Sequence, residues 1–280
     1  MRKFSSISAG ILTGILILGS AGCDKLKSRD DINKGIAAFR NAKYGDAVEK
    51  FKEAAALDPT NPNARLYLAT SYMSQWIPGA DSPENLAYAQ MAKDEFMKVL
   101  DKNPKDVTAL ASLASLAYNQ AGSLTADKKL EKFDEAAKWN KQLIEADPKN
   151  KEAYYSLGVI VWGKWYPALM TARANLHMKP EDPGPLKDKK VKEELKEKYA
   201  AMVDEGIADL QKALDIDKEY DDAMAYMNLL IRERADLMDT PEEYKKEVDA
   251  ADGWVQKALD TKKLKAARTP ATGGIVQDAK

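Results

Sequence analysis

A helix-ending motif that returns at a near-constant interval constrains this chain more than any other feature. Ala54-Ala55-Ala56-Leu57-Asp58-Pro59 is followed by Val99-Leu100-Asp101-Lys102-Asn103-Pro104 and then by Ile144-Glu145-Ala146-Asp147-Pro148. Ala213-Leu214-Asp215-Ile216-Asp217-Lys218 and Ala258-Leu259-Asp260-Thr261-Lys262-Lys263 continue the series without the proline. Their last residues, 59, 104, 148, 218 and 263, lie 45, 44, 70 and 45 apart. A period of this kind marks stacked supersecondary units, each too small to bury its apolar face alone.

Within the first unit, Ala47, Phe51, Ala54 and Ala55 fall at i, i+4, i+7 and i+8, which is one face of a helix. Gly35 and Ala38 lie on an earlier helix whose small residues permit close contact, and Gly45 in Lys43-Tyr44-Gly45-Asp46 reads as the turn between the two. Pro59 cannot continue the second helix and stops it. The pattern resembles the tetratricopeptide repeat, a helix–turn–helix unit. Gly35, Ala47, Phe51, Ala54 and Pro59 match the family's small, aromatic and proline positions. The resemblance implies an all-α solenoid over residues 28–263, with repeats near 28–61, 62–106, 107–150, 151–220 and 221–263. Repeat 3 carries Asn140 at the aromatic position, with Trp139 beside it, and repeat 4 has Lys218 in place of proline. Phe51 is expected to insert between its own two helices and repeat 2.

The extra residues all fall between the two helices of a repeat. Ser82 before Pro83 predicts a capped helix start, and Thr240-Pro241-Glu242-Glu243 reads as a capping box. Residues 180–185 (PEDPGP) exclude helix, and residues 188–214 read as one long helix. The insertion at 164–190 combines Trp165 and Tyr166 with several prolines, reads as a long loop without regular structure, and is expected to fold over the groove near Tyr155 and Trp162 as a functional surface. Residues 264–280 read as a flexible tail.

The N-terminus reads as an address. Met1-Arg2-Lys3 precedes an uncharged, mostly apolar run at 7–19, too short for a comfortable span but suited to a secretory signal. Ser20-Ala21-Gly22-Cys23 then resembles the lipobox of bacterial lipoproteins, although Ser20 stands where leucine is commonest. The resemblance implies a signal peptide at 1–22, cleavage after Gly22, and lipid on Cys23, with 23–27 as a linker. An uncleaved anchor, or an ordinary signal peptide leaving Cys23 as a free thiol, are the other readings. Each exports the remainder of the chain, and a lipid anchor holds a protein to a membrane face without spanning it.

Composition then removes most chemistry. One Cys excludes an intramolecular disulfide and a Cys-cluster metal site, and one His excludes multi-His sites. A net charge of −1 provides no basic field for nucleic acid. His177 reads as a surface or loop-packing residue, and pairs such as Glu193-Glu194 as solvated helix faces. No catalytic residue, metal or cofactor is expected. In the resembled family the first helix of each repeat lines a groove. Carried over, those positions are Ile32, Ile36 and Phe39, then Leu66, Thr70 and Met73, then Tyr118, and then Tyr155, Val159 and Trp162. Such an apolar, aromatic lining suits an amphipathic helix or an extended peptide. The reading is a noncatalytic adaptor or assembly scaffold, anchored in the bacterial cell envelope and binding a protein partner through the groove. The alternative is a lipoprotein that holds a small hydrophobic ligand for a transporter.

Overall fold

The computed structural model describes residues 9–179 and 181–268. These form ten α-helices and two 3-10 turns, with no strand among the described residues. The chain divides into two compact units, Met1–Gln142 and Leu143–Lys280. Among the described residues no helix is long and apolar enough to cross a membrane.

In the first unit, α1 (Ala9–Arg40) packs on α2 (Tyr44–Leu57), α2 on α3 (Pro62–Gln75), and α3 on α4 (Pro83–Leu100). The unit also holds α5 (Val107–Gln120), which packs on α4, and most of α6 (Ala126–Ala146). Helix α2 buries Ala47, Val48, Phe51, Ala54 and Ala55, the apolar face read from its spacing. Phe51 is 1% exposed. Its ring lies where a Cβ on Gly35 would sit 2.5 Å from Cε1, and it meets the Tyr67 ring of repeat 2 at 5.4 Å. The expected insertion of Phe51 between its own helices and the next repeat is therefore observed. The turn is at Asn41–Lys43, where Ala42 takes a left-handed φ of 56°; Gly45 lies inside α2, not at the turn. Helix α1 is also longer than a repeat helix. It includes residues 9–27 of the segment read as the signal and linker, and the first buried residues after that segment are Ser28, Asp31 and Ile32. The Ser28 hydroxyl donates to the Ala54 carbonyl at 2.9 Å, tying α1 to α2.

Caps set the helix starts. Ser82 accepts from Asn85 N–H at 3.3 Å, Asp106 from Ala109 at 3.0 Å, and Asn61 from Asn63 at 3.0 Å. The loop before α4 is closed by buried Asn85. Its side chain accepts from Ile77 N–H at 2.7 Å and donates to the carbonyls of Ile77 and Ala80 at 2.8 and 2.7 Å. In repeat 3 both Trp139 and Asn140 are buried, and Asn140 satisfies its amide on the Ala136 carbonyl at 3.0 Å.

The second unit contains α7 (Lys151–Asn175), α8 (Lys189–Ile216), α9 (Asp221–Arg234), a 3-10 turn at Ala235–Leu237, and α10 (Pro241–Arg268). Helix α7 packs on α8 and α9, α8 on α9, and α9 on α10. Gly158 repeats the role of Gly35: a Cβ there would lie 2.5 Å from Leu210 Cγ. The Thr240 box forms as read, with Thr240 N–H donating to Glu243 at 3.1 Å and Glu243 N–H to Thr240 Oγ1 at 3.2 Å.

Two expectations fail here. The 164–190 insertion is not a long irregular loop, because α7 continues through Pro167 to Asn175. Proline lacks an N–H, so one ladder bond is lost, yet apolar packing of Leu169 and Ala172 holds the helix together. Residues 264–268 belong to α10 and not to a tail, while 269–280 lie outside the described residues.

Candidate partner-binding surfaces

The first surface is a pocket in the first unit. Ile36, Phe39 and Arg40 of α1, Phe51 of α2, Leu66, Tyr67 and Thr70 of α3, and Thr108 of α5 enclose about 430 Å³. Four of the groove positions read from the sequence, Ile36, Phe39, Leu66 and Thr70, meet here. They do so because first-helix residues at i and i+3 or i+4 share a face, and consecutive first helices place those faces side by side. Phe51 forms a wall of the pocket and is also the core residue that locks α1 to α2, so the pocket shape depends on the repeat core. The ring of Phe39 packs edge-on against Tyr44 at 5.2 Å. The volume suits a bulky side chain or a short apolar segment.

The remaining first-unit positions lie elsewhere. Ile32 is 9% exposed and belongs to the core, not to a groove. Met73 packs with Trp76, Ala89 and Leu116. Tyr118 is 37% exposed and stacks on Phe133 at 5.6 Å. Sequence reading missed Arg40, Tyr67 and Thr108. Tyr67 follows Leu66 in α3, and its aromatic contact with Phe51 depends on how two repeats stack, which the local pattern does not carry.

The second surface, in the second unit, is a run of rings on α7, on α9 and on Tyr220, the residue just before α9. Tyr220 contacts Tyr155 at 5.1 Å, Tyr155 contacts Tyr226 at 5.6 Å, and Tyr226 contacts Trp162 at 5.7 Å. Trp162 stacks on Tyr166 at 5.1 Å. Tyr155 and Trp162 were expected at the groove, and Tyr166 on the insertion surface; the structure joins all three in one strip. Two other expectations are corrected. Val159 is buried at 6% exposure, and Trp165 is fully buried against Tyr199 at 5.4 Å, so neither lines a surface. The reason is the neighbour each ring meets: Trp165 packs toward α8, where it meets Tyr199, whereas Trp162, one turn earlier, packs toward α9, where it meets Tyr226.

Burial shapes the strip's electrostatics. Trp162 Nε1 donates to Glu233 Oε1 at 2.9 Å, while Glu233 Oε2 is buried with no hydrogen-bond partner. Burial, reinforced by Asp236 and opposed by the Trp162 bond, pushes the Glu233 carboxyl up to about 7. Burial also pushes Tyr220 up to about 12, helped by Glu152, Asp222, Asp217 and Asp221.

The segment after α7 does not fold over this strip; it is tied to the α9–α10 end of the unit. Arg173, 3% exposed, donates to the Lys179 and Asp182 carbonyls and pairs with Asp236, 4% exposed. Leu186 N–H donates to the Asp236 carbonyl at 2.9 Å, and Met178 and Leu186 enter the core. Lys192 donates to the Met238 carbonyl at 2.9 Å. His177 is exposed at a left-handed φ of 54°, where it closes the end of α7. No group of His, Cys, Asp and Glu able to hold a metal occurs among the described residues. Cys23 is exposed with a free thiol.

Comparisons with known proteins agree with this architecture. Residues 32–97 match the family model described as Tetratricopeptide repeat. No curated relative matches the sequence. Among solved structures, the crystal structure of MamA protein superposes with a TM-score of 0.54 at 15% identity, covering 89% of this chain and 98% of that one. A second crystal structure of MamA gives 0.53 at 16% identity, over 83% and 96% of the two chains. The MamA RS-1 ArsTM double mutant gives 0.51 at 17%, over 86% and 97%. At these identities the likeness concerns the fold.

Proposed function

We propose that this chain, a helical solenoid whose residues 32–97 match the tetratricopeptide repeat model, works as a noncatalytic protein-binding adaptor or assembly scaffold. The observation that carries this reading is the pocket of about 430 Å³, built by Ile36, Phe39 and Leu66 at groove positions of consecutive repeats. It presents apolar and aromatic side chains, the threonines Thr70 and Thr108, and Arg40 to an incoming segment, a combination that suits a peptide. The small-ligand alternative called for a cavity beneath the 164–190 insertion; there Met178 and Leu186 pack into the core. The adaptor reading is therefore preferred.

The finer proposal places the protein in the bacterial cell envelope, held to the periplasmic face of a membrane by lipid on Cys23. Ser20-Ala21-Gly22-Cys23 after an apolar run supports it, as does the exposure of residues 22–27, Cys23 among them, ahead of buried Ser28. An anchor so close to the first repeat holds the N-terminal pocket near the membrane surface. Cys23→Ala is the test: an unprocessed precursor is expected, and unchanged processing with unchanged membrane fractionation refutes the anchor. For the pocket, Phe39→Ala with Leu66→Ala is expected to abolish recovery of a partner captured from native membranes. Equal recovery from both proteins refutes the adaptor reading.

A further inference from the structure

The strip on α7 and α9 carries more than rings. Five aromatic side chains are in unbroken contact from Tyr220 to Tyr166, and Tyr166 is 36% exposed at the end. At the other end Lys151 Nζ lies over the Tyr220 ring at 4.8 Å, so the strip already seats one cation on an aromatic face. Two acids border it without an ion pair among the described residues: exposed Asp222 beside Tyr226, and Glu233 beneath Trp162. Glu233 Oε2 in addition lacks any donor although it is buried. Tyr and Trp faces are the surfaces on which guanidinium and ammonium groups gain most, and an unsatisfied carboxylate oxygen gains most from the same groups.

We propose that this strip docks a basic segment of a partner protein, one Arg or Lys side chain passing the Trp162 indole to satisfy Glu233. The inference rests on the adaptor reading only in that the occupant is a protein, and it concerns a different surface from the first-unit pocket. The groups that face Glu233 leave the position open to a cation. From α7 it meets Trp162, a neutral donor. From the 3-10 turn it meets Asp236, whose charge is already engaged by Arg173. On α9 itself, Arg232 is turned to Asn228 and Asp252. Arg234 is turned to Asp204 of α8 and Glu247 of α10. A cation that arrives therefore ionises Glu233, whose carboxyl is held up by burial, and docking releases a proton.

The test uses the full chain and two acetylated, amidated peptides of one length, one alternating Ala and Arg, the other Ala and Glu. Calorimetry at pH 6 in two buffers of different ionisation enthalpy measures both affinity and proton release. The Ala–Arg peptide is expected to bind, to shift Trp fluorescence, and to release close to one proton, roughly the full protonated fraction of a group that titrates near 7. Glu233→Gln keeps the shape and the Trp162 bond, yet is expected to weaken binding about tenfold or more and to remove the proton release. Tyr166→Ala is expected to weaken it as well. If the Ala–Arg peptide binds no better than the Ala–Glu peptide, or if Glu233→Gln binds equally well with the same proton release, the proposal is wrong. Phe39→Ala with Leu66→Ala leaves this binding unchanged, so the two surfaces fail or stand separately.

Discussion

Gly35→Ala sets two opposite effects against each other at one position. Intrinsic helix propensity favours alanine over glycine by up to about 1 kcal/mol inside a helix. Packing opposes it, because the new Cβ would lie 2.5 Å from Phe51 Cε1 and 2.8 Å from Cδ1 and Cζ. Carbon atoms rest at roughly 3.5–4.0 Å, so the ring must retreat by about 1 Å. It has little room, being 1% exposed with the Tyr67 ring 5.4 Å away on another side. Overpacking of this kind costs about 1–3 kcal/mol; with about 1 kcal/mol of propensity gain set against it, the net expectation is a loss of up to about 2 kcal/mol. Gly253 in α10 is the control, since nothing lies within 4 Å of a Cβ there, and Gly253→Ala is expected to stabilise. Urea titration by circular dichroism, with hydrogen exchange of α1 and α2 amides to localise the effect, gives the sign. Adding Phe51→Leu relieves the contact, so the double variant is expected to be more stable than the sum of the single changes. A Gly35→Ala protein stabilised as Gly253→Ala is would refute the close-packed contact.

Arg173→Met leaves Asp236 buried without its cation and frees the carbonyls of Lys179 and Asp182; a loss of about 3–5 kcal/mol is expected, with enhanced proteolysis near residue 182. Trp165→Ala empties a core site and is expected to cost about 3–5 kcal/mol, whereas Tyr166→Ala changes the melt little, and equal effects would contradict their placement on different sides of α7. Glu233 provides a pH test. Its carboxyl is raised from 4.5 to about 7, so the folded chain holds this proton more tightly than the unfolded chain does. The contribution is fully present below about 4.5, falls as pH rises to about 7, and is then constant, a change of up to roughly 3 kcal/mol. Glu233→Gln is expected to flatten that part of the stability profile, and an unaltered profile in denaturant titrations at pH 5 and 8 rejects the assignment.

What the chain determines locally is the repeat unit itself. The spacing of Ala47, Phe51 and Ala54 puts one apolar face on α2, Pro59 ends it, and the Ser82 and Thr240 caps start α4 and α10. All of these act within a few residues, so a linear pattern contains them. The groove positions were partly legible for the same reason: Ile36 and Phe39 share a face of α1, Leu66 and Thr70 share a face of α3, and the four meet around one pocket. Tertiary structure alone decided the rest. Arg173 chooses Asp236 across 63 positions, and Trp162 chooses Glu233 across 71, pairings that depend on how α7 packs against α9. Residues 164–175 are helix with Leu169 and Ala172 in the core, and Trp165 is buried against Tyr199 of α8. Composition made that segment look like a loop because proline and aromatic content report local preference, while burial is settled by the neighbours that folding brings.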